Sequence, residues 1–471
     1  MDPNRMMEQS SGDLERSGRV PLKTEANTQP NQSPAYDAVF GEMDENGPNF
    51  RGVGLFAAVG LMIKTQVGLG VLSIPAAFDV LGMIPGIICL CAVAVITTWS
   101  GWVVGDFKLR HAEVYSIDDA GAIMFGRIGR EFFGAALCIY WTFVTGAAML
   151  SLSIGFNAVS THAVCTAVFI AISAVIGFCF ASIRTMSRIS WIAWLGFLSI
   201  LIAVLMVTVS VGVQDRPATA PTNVEWSSDY KLFRSPSFIQ AMTAICAFVS
   251  AFAGPSGFFS IAAEMREPRQ YTRALFICQG VVTTIYLVVG CLMYYFCGSY
   301  VASPALGSAG PTMKKASYGV ALPGLIATMT LVAHFPSKYL FVRFLRGTKH
   351  LTSNTFVHWS TWLGCTFTVC VLAYLIASGI TIFFTLISLI GALLSTLMSM
   401  QAMGFMWLNT NWRIRSFSFS WVSRFAWCLF VIISGMLLMV TGTYGSVLDI
   451  IEAYKGKVSG PWSCADNSGS V

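Results

Sequence analysis

Long apolar runs separated by short polar segments dominate the chain from residue 53 onward. About 20 apolar residues are needed to cross the hydrocarbon of a bilayer as a helix. Val53–Phe78 is one such run, interrupted only by Lys64, and Gly82–Gly105 is the next. No Asp, Glu, Lys or Arg lies between Glu131 and Arg184, which is room for two spans with a turn at Asn157–His162. Ile189–Val213, Phe238–Ala263, Ala274–Cys297 and Tyr318–Leu345 follow. Trp359–Trp412 is again uncharged and reads as two spans broken near Ser378-Gly379, and Phe425–Leu448 closes the series. The pattern predicts an all-α integral membrane protein of 11 transmembrane helices, with a membrane domain over residues 51–449. Lys108–Arg130 is too polar to span and reads as a loop on one face.

Two of these runs are interrupted at their centres. The first reads Lys64-Thr65-Gln66-Val67-Gly68-Leu69-Gly70, with Pro75 following, and the sixth reads Ala251-Phe252-Ala253-Gly254-Pro255-Ser256-Gly257-Phe258. Glycine and proline weaken a helix, and at membrane depth unwound backbone is tolerated only where protein or a cavity satisfies it. Spans 1 and 6 occupy matching places if spans 1–5 and 6–10 are two repeats, and they run in opposite directions. Interrupted helices at matching places of inverted repeats point to the substrate site of a secondary transporter. Amides at a half-helix N-terminus suit a carboxylate, while freed carbonyls suit an ammonium. The two breaks together describe a site for a zwitterion.

Composition and charge narrow the picture. Hydrophobic residues make up 55% of the chain and charged residues only 11%, so lipid must be the solvent for most of it. The net charge of +6 forms no basic stripe, which argues against nucleic acid. Of the 29 Lys and Arg, twenty fall in the segments on the N-terminal side of the membrane and seven on the other, which predicts a cytoplasmic N-terminus. Residues 1–50 are polar and read as a disordered cytoplasmic tail, and 450–471 as an extracytoplasmic one. The thirteen cysteines include no C-x-x-C pair, and most lie singly in apolar runs as small hydrophobes. Cys297 and Cys464 are placed to face an oxidising compartment, but no bridge is expected. The five histidines (His111, His162, His334, His350 and His358) lack the spacing of a catalytic or metal-binding cluster. The chain is not expected to be an enzyme.

The strings KTQVGLGVLSIP, AFAGPSGFFSIAAEMREPRQYTRAL, CGSYVASPALGSAGP and HLTSNTFVHW resemble the amino acid/auxin permease family, and most closely its filamentous-fungal neutral amino acid permeases. The resemblance extends over about residues 40–445. It implies a LeuT-type 5+5 inverted repeat with broken helices 1 and 6. It also implies import of neutral aliphatic and aromatic L-amino acids by a monomer embedded in lipid, with the plasma membrane favoured over the vacuolar one. Carried onto this chain, it places Val67, Gly68, Leu69 and Gly70 at the substrate carboxylate. Ala251, Phe252 and Ala253 come to the amine, and Phe252 and Phe258 to the side chain. Tyr140, Thr142 and Met329 are further lining candidates.

Lys64 bears on coupling. A charge this deep in a span is expensive and marks function, unless its stem snorkels to the surface. In sodium-coupled relatives the matching position resembles an Asn that helps hold the ion, and an ammonium there would repel sodium. Proton coupling without sodium is therefore expected, with no cofactor and no metal. Glu264, beside Arg266, Arg269 and Arg273, reads as an inner-gate carboxylate. His334 is a candidate proton carrier, Asp79 belongs at an outer gate, and Lys338 and Arg343 are expected to snorkel. A sodium-coupled carrier and an amino acid sensor with a transporter fold are the alternatives.

Overall fold

A computed structural model describes residues 36–37, 41–42, 50–218, 220–221, 226–412, 418–455 and 461–469. Two short strands, β1 (Tyr36–Asp37) and β2 (Gly41–Glu42), pair antiparallel. The rest of the expected N-terminal tail up to residue 49 lies outside the described residues, as does 456–460 of the C-terminal one.

The helices follow the apolar runs. Span 1 is α1 (Leu55–Gln66) and α2 (Leu69–Leu81), bent by 42° at a two-residue break. Then come α3 (Met83–Arg110), α4 (Ile117–Ser160), α5 (Thr166–Ala181) and α6 (Met186–Val213). Span 6 is likewise divided, into α7 (Phe238–Ala251) and α8 (Pro255–Glu264). α9 (Tyr271–Cys297), α10 (Pro311–Leu345) and α11 (Phe356–Gly379) complete the second repeat together with a composite tenth span. That span is α12 (Phe383–Leu389), the π-helical segments Ile390–Ser395 and Leu397–Gln401, and α13 (Ala402–Trp412). α14 (Phe419–Lys455) is the last. Among the described residues nine helices are long and apolar enough to span, and the bent α1–α2 pair makes a tenth. α5, at the place of the expected fourth span, has only 16 residues, so length and composition support ten spans and leave α5 short of an eleventh.

Local chemistry explains the boundaries. Ser237 and Gln240 form a capping box that starts α7. Val67 is extended and Gly68 has no helical geometry, which ends α1. Pro255 takes the first position of α8, where its fixed φ fits and its missing N–H costs nothing. The Lys108–Arg130 loop is partly helical: its second half is the first turns of α4, which change direction at Gly126 (φ 65°).

The face at which α1 begins is called proximal here, and the opposite one distal. Phe50–Gly54 is stitched to the proximal end of α8. Val53 N–H donates to the Glu264 carbonyl at 3.1 Å, and Arg266 N–H donates to the Val53 carbonyl at 2.9 Å. Span 6 is central, with 89% of its apolar window buried against 33% for α14, which lies at the edge. The π-helical segment lets span 10 press on α7. At Gly391 a Cβ would stand 1.9 Å from the Cys246 carbonyl oxygen, so only glycine permits the approach.

The distal tail corrects one expectation. Cys165, at the head of α5, is disulfide-bonded to Cys464 across 299 residues. Cys165 stands at the start of an apolar run and Cys464 outside any, and the pairing joins segments too far apart in sequence for spacing to reveal. Trp462 N–H donates to the Ser378 carbonyl at 3.0 Å, Thr166 Oγ1 to the Ala465 carbonyl at 2.7 Å, and Lys314 Nζ to the Gly469 carbonyl at 2.9 Å. The tail is thus strapped over the distal ends of α5, α10 and α11.

Candidate substrate site at the two helix breaks

The breaks of spans 1 and 6 face each other in the middle of the bundle. Every carbonyl they free must find a donor, and the donors come both from neighbouring helices and from the breaks themselves. The Tyr286 hydroxyl, on α9, donates to the Gln66 carbonyl at 2.8 Å and lies 3.0 Å from the Ala251 carbonyl. The Tyr140 hydroxyl, on α4, donates to the Ala253 carbonyl at 2.8 Å. Lys64 Nζ donates to the Val67 carbonyl at 3.2 Å, and Gly254 N–H to the Phe252 carbonyl at 2.8 Å. Gly70 is required for this arrangement: a Cβ there would stand 2.3 Å from the Tyr286 hydroxyl and 2.9 Å from the Ala251 Cα.

Between the breaks lies a cavity of about 20 Å³, room for about one water. Thr65, Gln66, Leu69 and Gly70 line it from span 1, and Ser250 and Ala253 from span 6. Tyr140, Trp141 and Val144 of α4 close one side, with Thr328 and Val332 of α10 and Ile387 and Ile390 of span 10 on the others. No charged side chain is among the lining residues. Gln66 Oε1 and Trp141 Nε1 are buried there without a hydrogen bond among the described residues, two polar atoms available to a ligand. The small volume marks a conformation closed around the site, and anything larger than a water enters only when the helices part.

Of the residues expected here, Leu69, Gly70, Ala253 and Tyr140 line the cavity, and Val67, Gly68, Ala251 and Phe252 form the surrounding breaks. Phe252 packs edge-on to Tyr286, with ring centroids 4.9 Å apart. The Phe258 ring lies against Gly254. Thr142 and Met329 do not line the cavity. The Thr142 hydroxyl donates back to the Cys138 carbonyl at 2.6 Å, and Met329 lies against Gly177 of α5. Tyr286, Trp141, Thr328 and Val332 were not singled out from the sequence, where an aromatic or hydroxyl residue in an apolar helix reads as packing.

The charged candidates are distributed above and below. Lys64 is fully buried at the break and does not snorkel. Glu264 forms an ion pair with Lys338 of α10, both side chains 1% exposed. This corrects one expectation, since Lys338 does not snorkel. A buried lysine so placed finds its carboxylate closer than the membrane surface. Phe50 caps the pair from the proximal side, with Lys338 Nζ 4.2 Å from its ring centroid. Arg343 also pairs, with Asp118 at 3.5 Å and with Glu131 of α4. His334, one turn from Lys338, is fully buried with its ring 5.3 Å from that of Trp362. At the distal end Asp79 meets Arg234 at 2.9 Å.

Residues 51–448 match the family described as transmembrane amino acid transporter protein. The chain belongs to that family. It is 34% identical over 445 residues to a transmembrane transporter of Fusarium pseudograminearum, covering 93% of this chain and 94% of the relative. It is 29% identical to the N amino acid transport system protein of Neurospora crassa, covering 90% and 91%. Among solved structures it is similar to Mhp1, a nucleobase-cation-symport-1 family transporter in a closed conformation, with TM-score 0.53 and 15% identity. That match covers 90% of this chain and 99% of Mhp1. A Na⁺-coupled sialic acid symporter in an outward-open state gives TM-score 0.56 at 13% identity, covering 86% and 92%. At such identities the likeness establishes the fold, a LeuT-type inverted repeat. The protein is a multi-pass membrane transporter, not an enzyme.

Proposed function

We propose that this transporter imports neutral aliphatic and aromatic L-amino acids by proton-coupled symport, through alternating access and without sodium. The observation that carries the reading is the pairing of the two breaks with a buried ammonium. The N-terminus of α2, capped by Gly68 with no side-chain hydrogen bond, offers amides to a carboxylate. The carbonyls of span 6 suit the substrate ammonium, which on binding would replace the Tyr140 donor. The lining has no charged side chain, and Leu69, Val144, Val332, Ile387 and Ile390 favour an apolar substrate.

Lys64 bound to Val67 puts a cation, in its protonated form, beside the break, where electrostatic repulsion disfavours sodium. Loss and gain of a proton by that group would do the work of ion binding and release. Two features support a cytoplasmic proximal face: the excess of Lys and Arg in its loops, and the disulfide on the distal face, since disulfides persist outside the reducing cytosol. The Glu264–Lys338 pair with Phe50 then forms the inner gate, and Asp79–Arg234 the outer one. The plasma membrane is the proposed site of action, with the protein working as a monomer.

The test is uptake of labelled neutral amino acids by the purified protein in liposomes, with an imposed pH gradient and no sodium. Accumulation that a protonophore abolishes is expected, and Lys64→Met should remove the response to the gradient. Uptake that collapses when sodium is replaced by choline at fixed pH would overturn the proton reading. Specific binding without flux would point to a sensor.

A further inference from the structure

Tyr286 stands where the last residues of two half-helices aim their carbonyls at one point. Gln66 ends α1 and Ala251 ends α7. Each helix C-terminus carries a partial negative charge of about half an elementary unit. The Tyr286 hydroxyl lies 2.8 Å from one carbonyl oxygen and 3.0 Å from the other, fully buried. A phenol has one proton, so it satisfies one carbonyl fully and leaves the second facing an oxygen. Convergent carbonyl oxygens in a dry site are the surroundings of a small hard cation.

We infer that the Tyr286 hydroxyl fills what would otherwise be an alkali-cation position, and that it ties the breaks of spans 1 and 6 together so that they need no ion. The two neighbours of the hydroxyl fit this role. Gly70 leaves space for the oxygen, since a Cβ there would stand 2.3 Å from it, and the Phe252 ring holds the phenol edge-on. Lys64 is the charged group on the same break, bound to the Val67 carbonyl. Its ammonium opposes a cation at the neighbouring Gln66 carbonyl and reinforces the exclusion. Tyr286 is a positioning residue here: it selects against an ion without touching the substrate's reacting groups. The inference deepens the sodium-independent reading of the site, and its first readout is binding, which does not depend on flux.

The experiment compares thermal unfolding of purified wild type, Tyr286→Phe and Lys64→Met/Tyr286→Phe in N-methylglucamine, lithium, sodium and potassium chlorides at equal ionic strength. Wild type should unfold at one temperature in all four salts. Tyr286→Phe should unfold lower in N-methylglucamine and regain stability in one alkali salt, with a midpoint that rises with the logarithm of ion concentration. The double variant should respond at lower ion concentration, because the opposing ammonium is gone. In liposomes the same ion should restore uptake to Tyr286→Phe while leaving wild type unchanged. Ion-independent unfolding of Tyr286→Phe, or stabilisation of wild type by an alkali ion, would overturn the inference. Should Tyr286→Phe yield no folded protein in any salt, Tyr286→Thr, which leaves the same carbonyls open, is read by the same criteria. Loss of transport with the salt pattern intact would count against the functional proposal alone.

Discussion

The ion pair at the proximal end of the site makes a quantitative prediction. Glu264 lies on α8 and Lys338 on α10, each 1% exposed, and these helices must separate for the proximal face to open. Replacing Glu264 by Gln leaves the Lys338 ammonium buried without its counter-charge, and removing one partner of a buried pair costs about 3–5 kcal/mol. The cost falls on the closed state, because opening admits water to the stranded charge. At about 1.4 kcal/mol per decade, the open fraction should rise by roughly two to three and a half orders of magnitude. The Val53 amide, bonded to the Glu264 carbonyl, and the Arg266 amide, bonded to the Val53 carbonyl, exchange only when this seam parts. Hydrogen exchange measured on peptides spanning these amides should therefore accelerate by at least about 100-fold in Glu264→Gln and in Lys338→Met. The double variant Glu264→Leu/Lys338→Met, which buries no charge, should return to within about tenfold of wild type. If both single variants exchange at the wild-type rate, or the double variant exchanges as fast as the singles, the pair does not hold the face shut.

Three further outcomes are expected. Gly70→Ala should abolish uptake and lower stability by about 1–3 kcal/mol, because a Cβ there meets the Ala251 backbone at 2.9 Å; Gly280→Ala, with nothing within 4 Å, should leave both intact. Cys464→Ser should lower the unfolding temperature, with a stability loss no larger than the roughly 6 kcal/mol that closing so long a loop could contribute, and reductant should act on wild type in the same way but not on the variant. Asp229 accepts from the Ser299 amide at 2.8 Å and from its hydroxyl. Partial burial pushes its carboxyl up, but the Ser299 donations and Arg234 outweigh this and hold it below its ordinary value. A lowered folded value means the clamp contributes stability above the unfolded carboxyl's range and loses it only as pH falls through the folded one. The stability lost in Asp229→Asn should therefore be the same at pH 5 and pH 7, and a difference between them would place the folded value higher.

Spans and breaks were legible because lipid forces a long apolar run and because Gly and Pro interrupt it visibly. The chemistry joining the breaks was not. Tyr286 sits in a helix where a tyrosine looks like any packing aromatic, and its meaning arises only when two carbonyls from residues 66 and 251 meet at its hydroxyl. Lys338 reads as a snorkelling residue until α8 brings a carboxylate to it, and Phe50, just before the first span, gives no sign that it caps that pair. Thr142 and Met329 show the converse limit: both lie on helices that line the site, but on faces that turn from it. A helix face is fixed by rotation about its axis, which an all-apolar run does not encode.

The bond between Cys165 and Cys464 also carries a consequence for biosynthesis. Its second half is translated 299 residues after its first, and the two can meet only once α14, which ends nine residues before Cys464, has emerged and been placed. Until then Cys165 remains a thiol, able to form a wrong disulfide with another cysteine. Closure of this bridge therefore reports that α14 has been placed with its C-terminal end on the same face as the head of α5. A C-terminal fusion that interferes with the strap would leave Cys165 unpaired, before any effect on transport could be measured.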